Sequence, residues 1–132
     1  MTLSVIIFRN REGKILLQFR DGNAPSDPLG WSFFGGIAEG KESPMDAVIR
    51  EVKEELNMDL VPQNVRLLAE HHWTSPNTGQ EKIVYLYEGI SPIDWGDIAI
   101  REGAGAAFLT KDEVAKLDRI SLLAKTFVAD YC

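Results

Sequence analysis

Hydrophobic and polar residues alternate along this chain with two periods, one typical of β-strands and one typical of α-helices. Residues 3–8 (LSVIIF) form an unbroken apolar run rich in β-branched side chains, and residues 14–20 (KILLQFR) alternate between two faces. Because residues 10–13 (NREG) have turn chemistry, we expect these two strands to form a hairpin. The same criteria predict further strands at residues 31–34, 65–74, 81–88 and 106–109.

The clearest helix is predicted to begin at Ser43-Pro44 and to run to about Leu56. Serine caps helix N-termini, proline suits the first helical position, and Asp46 lies near the positive end of the helix dipole. Asn57, which follows, tolerates the left-handed backbone conformation that ends many helices. Apolar residues recur at helical spacing on the side that should face the core: Met45, Val48, Ile49, Val52 and Leu56.

Two further helices are predicted near the end of the chain, at residues 111–117 and 119–131. Strands and helices mix without regular βαβ alternation, so an α+β fold with a mixed sheet is expected rather than a doubly wound sheet. At this length we expect a single domain spanning residues 1–132.

Composition narrows the functional classes. The chain has 14 Lys and Arg against 20 Asp and Glu, a net charge of −6, which argues against a protein that holds a nucleic-acid polymer by its phosphates. No apolar run approaches the roughly 20 residues that span a bilayer, so no membrane association is expected. A single cysteine, Cys132, excludes an intrachain disulfide and fits a cytoplasmic, reducing environment.

Three glutamates, Glu51, Glu54 and Glu55, project from one arc of the predicted first helix. They repel one another and lie near the negative end of the helix dipole, where acids are disfavoured. Within the helix, Arg50 is the residue best placed to compensate them. The residues alone leave two interpretations open: a solvated acidic surface, or a site for a hard divalent cation such as Mg²⁺.

The sequence before this helix favours the cation site. Residues 36–58 (GIAEGKESPMDAVIREVKEELNM) resemble the Nudix box, G-x5-E-x7-R-E-U-x-E-E-x-G-U, in which U is a bulky aliphatic residue. Asn57 stands where the box usually has glycine, and Met58 is an acceptable U. The matching positions are Gly36, Glu42, Arg50, Glu51, Val52, Glu54 and Glu55. The chain therefore resembles the Nudix hydrolase family, and especially its small, MutT-like members.

This resemblance implies an α/β/α sandwich that contains a mixed sheet, the box helix and a C-terminal helix. It also implies hydrolysis of a pyrophosphate bond in a nucleoside diphosphate linked to a group X, with Mg²⁺ or Mn²⁺ as the cofactor. By the same resemblance the metal ligands are Glu51, Glu54, Glu55 and a backbone carbonyl of the Gly35-Gly36 turn, assigned to Gly36. Arg50 is expected to orient the carboxylates by pairing with Glu42. Either Glu51 or Glu54 is expected to be the general base.

Residues outside the box extend the predicted site. Glu102 resembles a further acidic ligand of several family members, with an ordinary exposed loop glutamate as an equal alternative, and Glu81 is a weaker choice. Arg20 is the candidate contact to a substrate phosphate or base, and Gly35 allows the backbone to approach a substrate closely. Phe33 is a candidate to stack on a base, with core packing as its alternative.

The expected partner is a small nucleotide or nucleotide-sugar substrate. The short chain resembles family members that cleave nucleoside triphosphates or modified nucleotides, which makes these the leading substrate class. The alternatives are nucleotide sugars, ADP-ribose or dinucleoside polyphosphates, or a non-catalytic nucleotide sensor. Residues 118–122 (DRISL) lack the asparagine with which relatives that repair guanine oxidation read a purine, so strict 8-oxoguanine specificity is not expected. A monomer or a homodimer is expected.

Overall fold

Strands and helices are defined by a computed structural model that describes residues 1–10, 12–20, 30–76, 78–90 and 105–132. The strands within these ranges are β1 (Thr2–Phe8), β2 (Ile15–Phe19), β3 (Trp31–Ser32), β4 (Phe34–Ile37), β5 (Val65–Thr74), β6 (Glu81–Gly89) and β7 (Gly105–Leu109). The α-helices there are α1 (Pro44–Leu56), α2 (Lys111–Ala115) and α3 (Leu122–Tyr131), and a short 3-10 helix covers Pro62–Asn64. Among the described residues, no helix is long and apolar enough to cross a membrane.

The strands form two sheets. The larger sheet has the order β4-β1-β6-β5, in which β1 and β6 run parallel and the other neighbours run antiparallel. The smaller sheet has the order β3-β2-β7 and is antiparallel. The expected mixed sheet is therefore confirmed.

The predicted hairpin between the first two strands is wrong. β1 and β2 belong to different sheets, and within the described residues a single isolated bridge, from Arg9 to Ile15, joins them. The physical reason is that β4 takes one edge of β1 over Leu3–Ile6 and β6 takes the other edge along its whole length, which leaves only the end of β1 to meet β2. A strand with both edges paired has no backbone hydrogen-bonding groups left for a third neighbour.

The aromatic strand predicted at residues 31–34 is divided between the two sheets. Trp31 and Ser32 pair with β2, whereas Phe34 and the residues after it pair with β1. The chain therefore crosses from the smaller sheet to the larger one at Phe33. This crossing brings the end of β2 close to the glycine turn that precedes the acidic helix.

Helices cover both faces of the larger sheet. Along β1, Val5 and Ile7 are buried in the same cluster as residues of α3, and Ile6 and Phe8 are buried with residues of α1. The cluster on the α3 side includes Phe127 and Val128, and the cluster on the α1 side includes Val48, Val52 and Leu56. The α/β/α sandwich is therefore confirmed.

Both ends of α1 have the caps that the sequence predicts. The Ser43 hydroxyl accepts a hydrogen bond of 3.1 Å from the Asp46 amide, and Asn57 adopts the left-handed conformation with φ of 53°. The Ser4 hydroxyl donates a 2.8 Å hydrogen bond to the Pro44 carbonyl, which ties the first turn of the helix to β1. The acidic residues in the last two turns are therefore presented from a well-anchored helix.

Candidate active site

Arg50 lies at the centre of the acidic cluster and forms a two-pronged ion pair with Glu42. Its Nε donates to one Glu42 oxygen at 2.8 Å and its Nη2 donates to the other at 2.9 Å. The hydrogen bonds from Arg50, followed by one from the Glu39 amide, lower the pKa of Glu42 to about 2. The pairing also raises the pKa of Arg50 above its usual value. The expected pairing of Arg50 with Glu42 is thus present, and both groups are charged at neutral pH.

The same guanidinium also bridges two of the predicted metal ligands. Nη1 of Arg50 donates to Glu51 at 3.0 Å and to both oxygens of Glu54 at 3.3 Å. Nη2 donates to the Ile37 carbonyl at 3.2 Å, so Arg50 also fastens the loop after β4 to the helix. Arg50 therefore contacts two of the predicted ligands at once, and its orienting role stays a prediction.

Gly36 leaves the space that Glu51 occupies. A Cβ atom built at residue 36 would lie 2.4 Å from the carboxyl carbon of Glu51, closer than real contacts allow. The Glu51 side chain is only 16% exposed, whereas that of Glu54 is 48% exposed. The glycine of the box is thus required for one acid to lie against the backbone of β4.

Glu55 is the most deeply buried of the three acids, with 4% of its surface exposed. One of its oxygens accepts a 3.0 Å hydrogen bond from the Gly35 amide, and the other accepts a 3.3 Å hydrogen bond from the Gln18 side chain. Gln18 lies on β2 and was not among the predicted site residues. Its signal in the sequence is weak: it is one polar residue on an otherwise apolar strand.

The donor chemistry of the cluster fits a hard divalent cation. Every candidate ligand is a carboxylate or carbonyl oxygen, as Mg²⁺ and Mn²⁺ prefer, and three glutamates accept hydrogen bonds from Arg50. Within the described residues, no three Asp, Glu, His or Cys side chains are arranged to hold one ion, because the acids face Arg50, Gln18 and a backbone amide instead. The carboxylates therefore suit a divalent cation in chemistry and charge. In this structure they accept hydrogen bonds from Arg50, from the Gln18 side chain and from a backbone amide.

A cleft of about 550 Å³ adjoins the acidic cluster. The three predicted substrate-binding residues, Arg20, Phe33 and Gly35, all line it, and so does Glu51. The Nε atom of Arg20 is buried and has no hydrogen-bond partner among the described residues. Because a buried donor without a partner is costly, this atom is suited to an anionic or carbonyl group of a ligand.

Several other residues of the cleft were missed from the sequence. Lys82 on β6 contributes a second cation, and Ser121 and Leu123 contribute part of the wall near the start of α3. These residues lie far from the box in the chain, so only the packing of the fold brings them to it. Phe33 lines the cleft and also stacks on Phe127, with ring centres 6.5 Å apart. It therefore packs in the core as well, which was the alternative role given to it.

Of the two acids predicted outside the box, one lies outside the described residues and the other lies away from the cluster. Glu102 lies outside the described residues, so its role stays a prediction. Glu81 is exposed at the start of β6 and lines a smaller groove beside Trp73 rather than the main cleft.

Comparison with known proteins defines the class. The family model of the NUDIX domain matches residues 2–131, almost the whole chain. The chain therefore belongs to the Nudix family, in agreement with its fold and its box residues.

Similar proteins are found among curated sequences and solved structures. The CTP pyrophosphohydrolase of Escherichia coli K12 is 48% identical over 50 residues, which span 37% of this chain and only 36% of that protein. The MutT protein of Methanosarcina mazei Go1 has a TM-score of 0.82 at 20% identity, covering 98% of this chain and 91% of the other. The E. coli ORF135 protein has a TM-score of 0.72 at 25% identity, covering 98% and 85%. The structural likenesses show the fold.

Proposed function

We propose that this protein is an enzyme that hydrolyses a pyrophosphate bond in a nucleoside diphosphate linked to a group X. The leading substrates are nucleoside triphosphates or modified nucleotides. The observation that carries the proposal is that Glu51 of the acidic box lines the same cleft as Arg20, whose buried Nε has no hydrogen-bond partner within the described part of the chain. This arrangement suits a substrate that brings phosphates to a metal-binding edge.

The proposed metal ligands are Glu51, Glu54, Glu55 and the Gly36 carbonyl, with Glu102 as a further candidate. A bound Mg²⁺ or Mn²⁺ supplies charge neutralisation of the diphosphate and a water of lowered pKa. Glu51 is our preferred general base over Glu54, because it is the acid of this pair that lines the cleft. Arg50 positions both acids through its hydrogen bonds.

The remaining side chains of the cleft are proposed to bind the substrate. Arg20, with Lys82, contributes positive charge for a phosphate or for an acceptor on the base. Phe33 offers an apolar wall for the base, and Gly35 permits close approach of the ligand. The cleft volume of about 550 Å³ lies in the range of small-ligand sites and supports a nucleotide rather than a polymer.

The name of one relative supports the choice of a nucleoside triphosphate. The matched segment of the E. coli CTP pyrophosphohydrolase is short, so it guides the order of testing rather than the identity of the base. Nucleotide sugars, ADP-ribose and dinucleoside polyphosphates are the alternative substrates.

The single cysteine supports our proposal of a cytoplasmic setting. A single domain over residues 1–132, and a monomeric or homodimeric state, stay predictions.

A substrate panel tests this function. The purified chain is incubated with Mg²⁺ and each of the common ribo- and deoxynucleoside triphosphates, nucleotide sugars, ADP-ribose and dinucleoside polyphosphates. The products are separated by anion-exchange chromatography. We expect a nucleoside monophosphate and pyrophosphate from at least one triphosphate. Tight binding of one nucleotide without hydrolysis of any would instead favour a sensor and contradict the proposal.

A further inference from the structure

Gln18 joins the acidic cluster to the wall of the cleft through one buried side chain. Only 3% of its surface is exposed. Its Nε2 donates to the Phe33 carbonyl at 3.0 Å and to Glu55 at 3.3 Å. The other Glu55 oxygen accepts from the Gly35 amide at 3.0 Å. One side-chain amide thus contacts both an acid of the box and the backbone that forms the cleft.

We propose that Gln18 is a positioning residue that orients Glu55 for a divalent cation and couples occupancy of that site to the Phe33-Gly35 segment. This inference rests on the proposed function in one respect, the assignment of Glu55 as a metal ligand.

The hydrogen-bonding chemistry of glutamine suits this position. A side-chain amide carries two N–H donors on one nitrogen, and both groups near it, a carbonyl and a carboxylate, are acceptors. The nitrogen must therefore be the atom that faces them. Burying a side-chain amide costs free energy unless its hydrogen bonds are made, and the two hydrogen bonds of Gln18 offset that cost.

A metal-ligating carboxylate that is hydrogen-bonded through its other lone pairs is held in one orientation before the ion arrives. Loss of such an outer partner typically weakens metal binding by about 10- to 100-fold. Gln18 is therefore expected to act on metal affinity more than on the chemical step. A residue that merely filled the core between the sheets would change stability without this effect.

The first test measures Mn²⁺ binding by electron paramagnetic resonance in Gln18→Met, which removes the donors and keeps the length of the side chain. We expect the dissociation constant for Mn²⁺ to rise about 10-fold, with kcat recovering at saturating metal. Gln63→Met is the matched control, because Gln63 is exposed on the 3-10 helix. A folded Gln18→Met protein with wild-type Mn²⁺ affinity would overturn the inference.

A double-mutant cycle tests whether Gln18 acts through Glu55. In a Glu55→Gln background, the further change Gln18→Met should leave Mn²⁺ affinity unchanged within about twofold. A full 10-fold loss in that background would mean that Gln18 acts by another route.

A measurement on the unaltered protein covers the case in which these variants do not fold. On titration with Mg²⁺, the side-chain amide resonances of Gln18 should shift in a ¹⁵N correlation spectrum, while those of Gln63 stay in place. Stationary Gln18 resonances at saturating Mg²⁺ would refute the coupling. The Mn²⁺ affinities and the amide shifts are measured without hydrolysis, so a substrate panel without turnover would remove the proposed function and leave this inference standing.

Discussion

At the scale of single residues, the position of the Glu51 carboxylate depends on Gly36. A methyl group there would collide with the Glu51 carboxylate, which already has little freedom because Arg50 holds it. We predict that Gly36→Ala lowers kcat/KM at least about 10-fold, because displacement of a reacting group by a fraction of an ångström to an ångström is costly. Steady-state kinetics with the best substrate of the panel measures this.

Gly105→Ala is the matched control for that prediction. Gly105 lies on β7, and a Cβ atom there would meet no atom of the described residues within 4 Å, its chain neighbours aside. Its kcat/KM should stay close to that of the wild type. Equal effects of the two substitutions would show that the crowding at Gly36 does not matter for the reaction.

The Arg50–Glu42 pair predicts a pH dependence of stability. The pKa of Glu42 is about 2 in the folded chain against an ordinary value of 4.5. The ionised form is therefore favoured by folding. Its contribution to stability is complete above about pH 4.5 and is lost as the pH falls toward 2.

We predict that the stability difference between the wild type and Glu42→Gln shrinks across this pH window. Urea denaturation in the presence of EDTA, followed by circular dichroism from pH 2 to pH 7, measures it. The wild type should be the more stable protein at pH 7, with the two curves converging at low pH. A difference that stays constant with pH would contradict the lowered pKa of Glu42.

At the scale of elements, the acidic helix is where sequence reasoning worked best. Its start, its end and its buried face follow from local signals, the Ser43 cap, the Pro44 start and the apolar stripe, and α1 spans the predicted residues. Asn57, the departure from the family pattern, adopts the left-handed conformation for which glycine is usual. The effect of substituting Asn57 on the free energy of unfolding can therefore be predicted.

Asn57→Gly should leave the free energy of unfolding within about 0.5 kcal/mol of the wild type, whereas Asn57→Ala should lower it by about 1 kcal/mol. The reason is that a Cβ atom is penalised at φ of 53° unless the side chain can compensate locally. Urea denaturation at pH 7 compares the three proteins. Equal stabilities of the alanine and glycine variants would argue against the left-handed cap.

Strand pairing was less predictable than strand position. The pattern located β1 and β2, but a turn sequence between two strands does not reveal that other strands occupy both edges of β1. The residues that take those edges, on β4 and β6, lie about 30 and 80 positions further along the chain. Pairing at such separations depends on the packing of the whole fold and has no local signature.

At the scale of the whole molecule, the residues of the candidate site also fall into those that the local sequence predicts and those that it does not. The box residues Glu42, Arg50 and Glu51 were predictable because they lie on one helix and the loop before it. Gln18 and Lys82 were not, because they come from strands of different sheets and join the site only after the sandwich forms. The box therefore predicts the chemistry proposed for the site, and tertiary packing brings in the residues that surround it.

The net charge of −6 also takes on a different meaning at this scale. Taken alone, this charge disfavours any phosphate-rich ligand, but a share of the acidic residues is concentrated at one edge of the cleft. A divalent cation bound there would make the local charge far less negative and would become the attraction for a diphosphate. Cationic Arg20 and Lys82 line the same cleft.

Turnover of Glu54→Gln tests whether the acidic box is the metal site of a pyrophosphohydrolase. Glu54 is half-exposed, so its substitution should keep the fold, and Asp46→Asn is the control because Asp46 is an exposed acid on the same helix. With Mg²⁺ and the best substrate, we predict a loss of kcat of about 100-fold or more for Glu54→Gln and a change within about twofold for Asp46→Asn. A folded Glu54→Gln protein that hydrolyses the substrate at the wild-type rate would contradict the account.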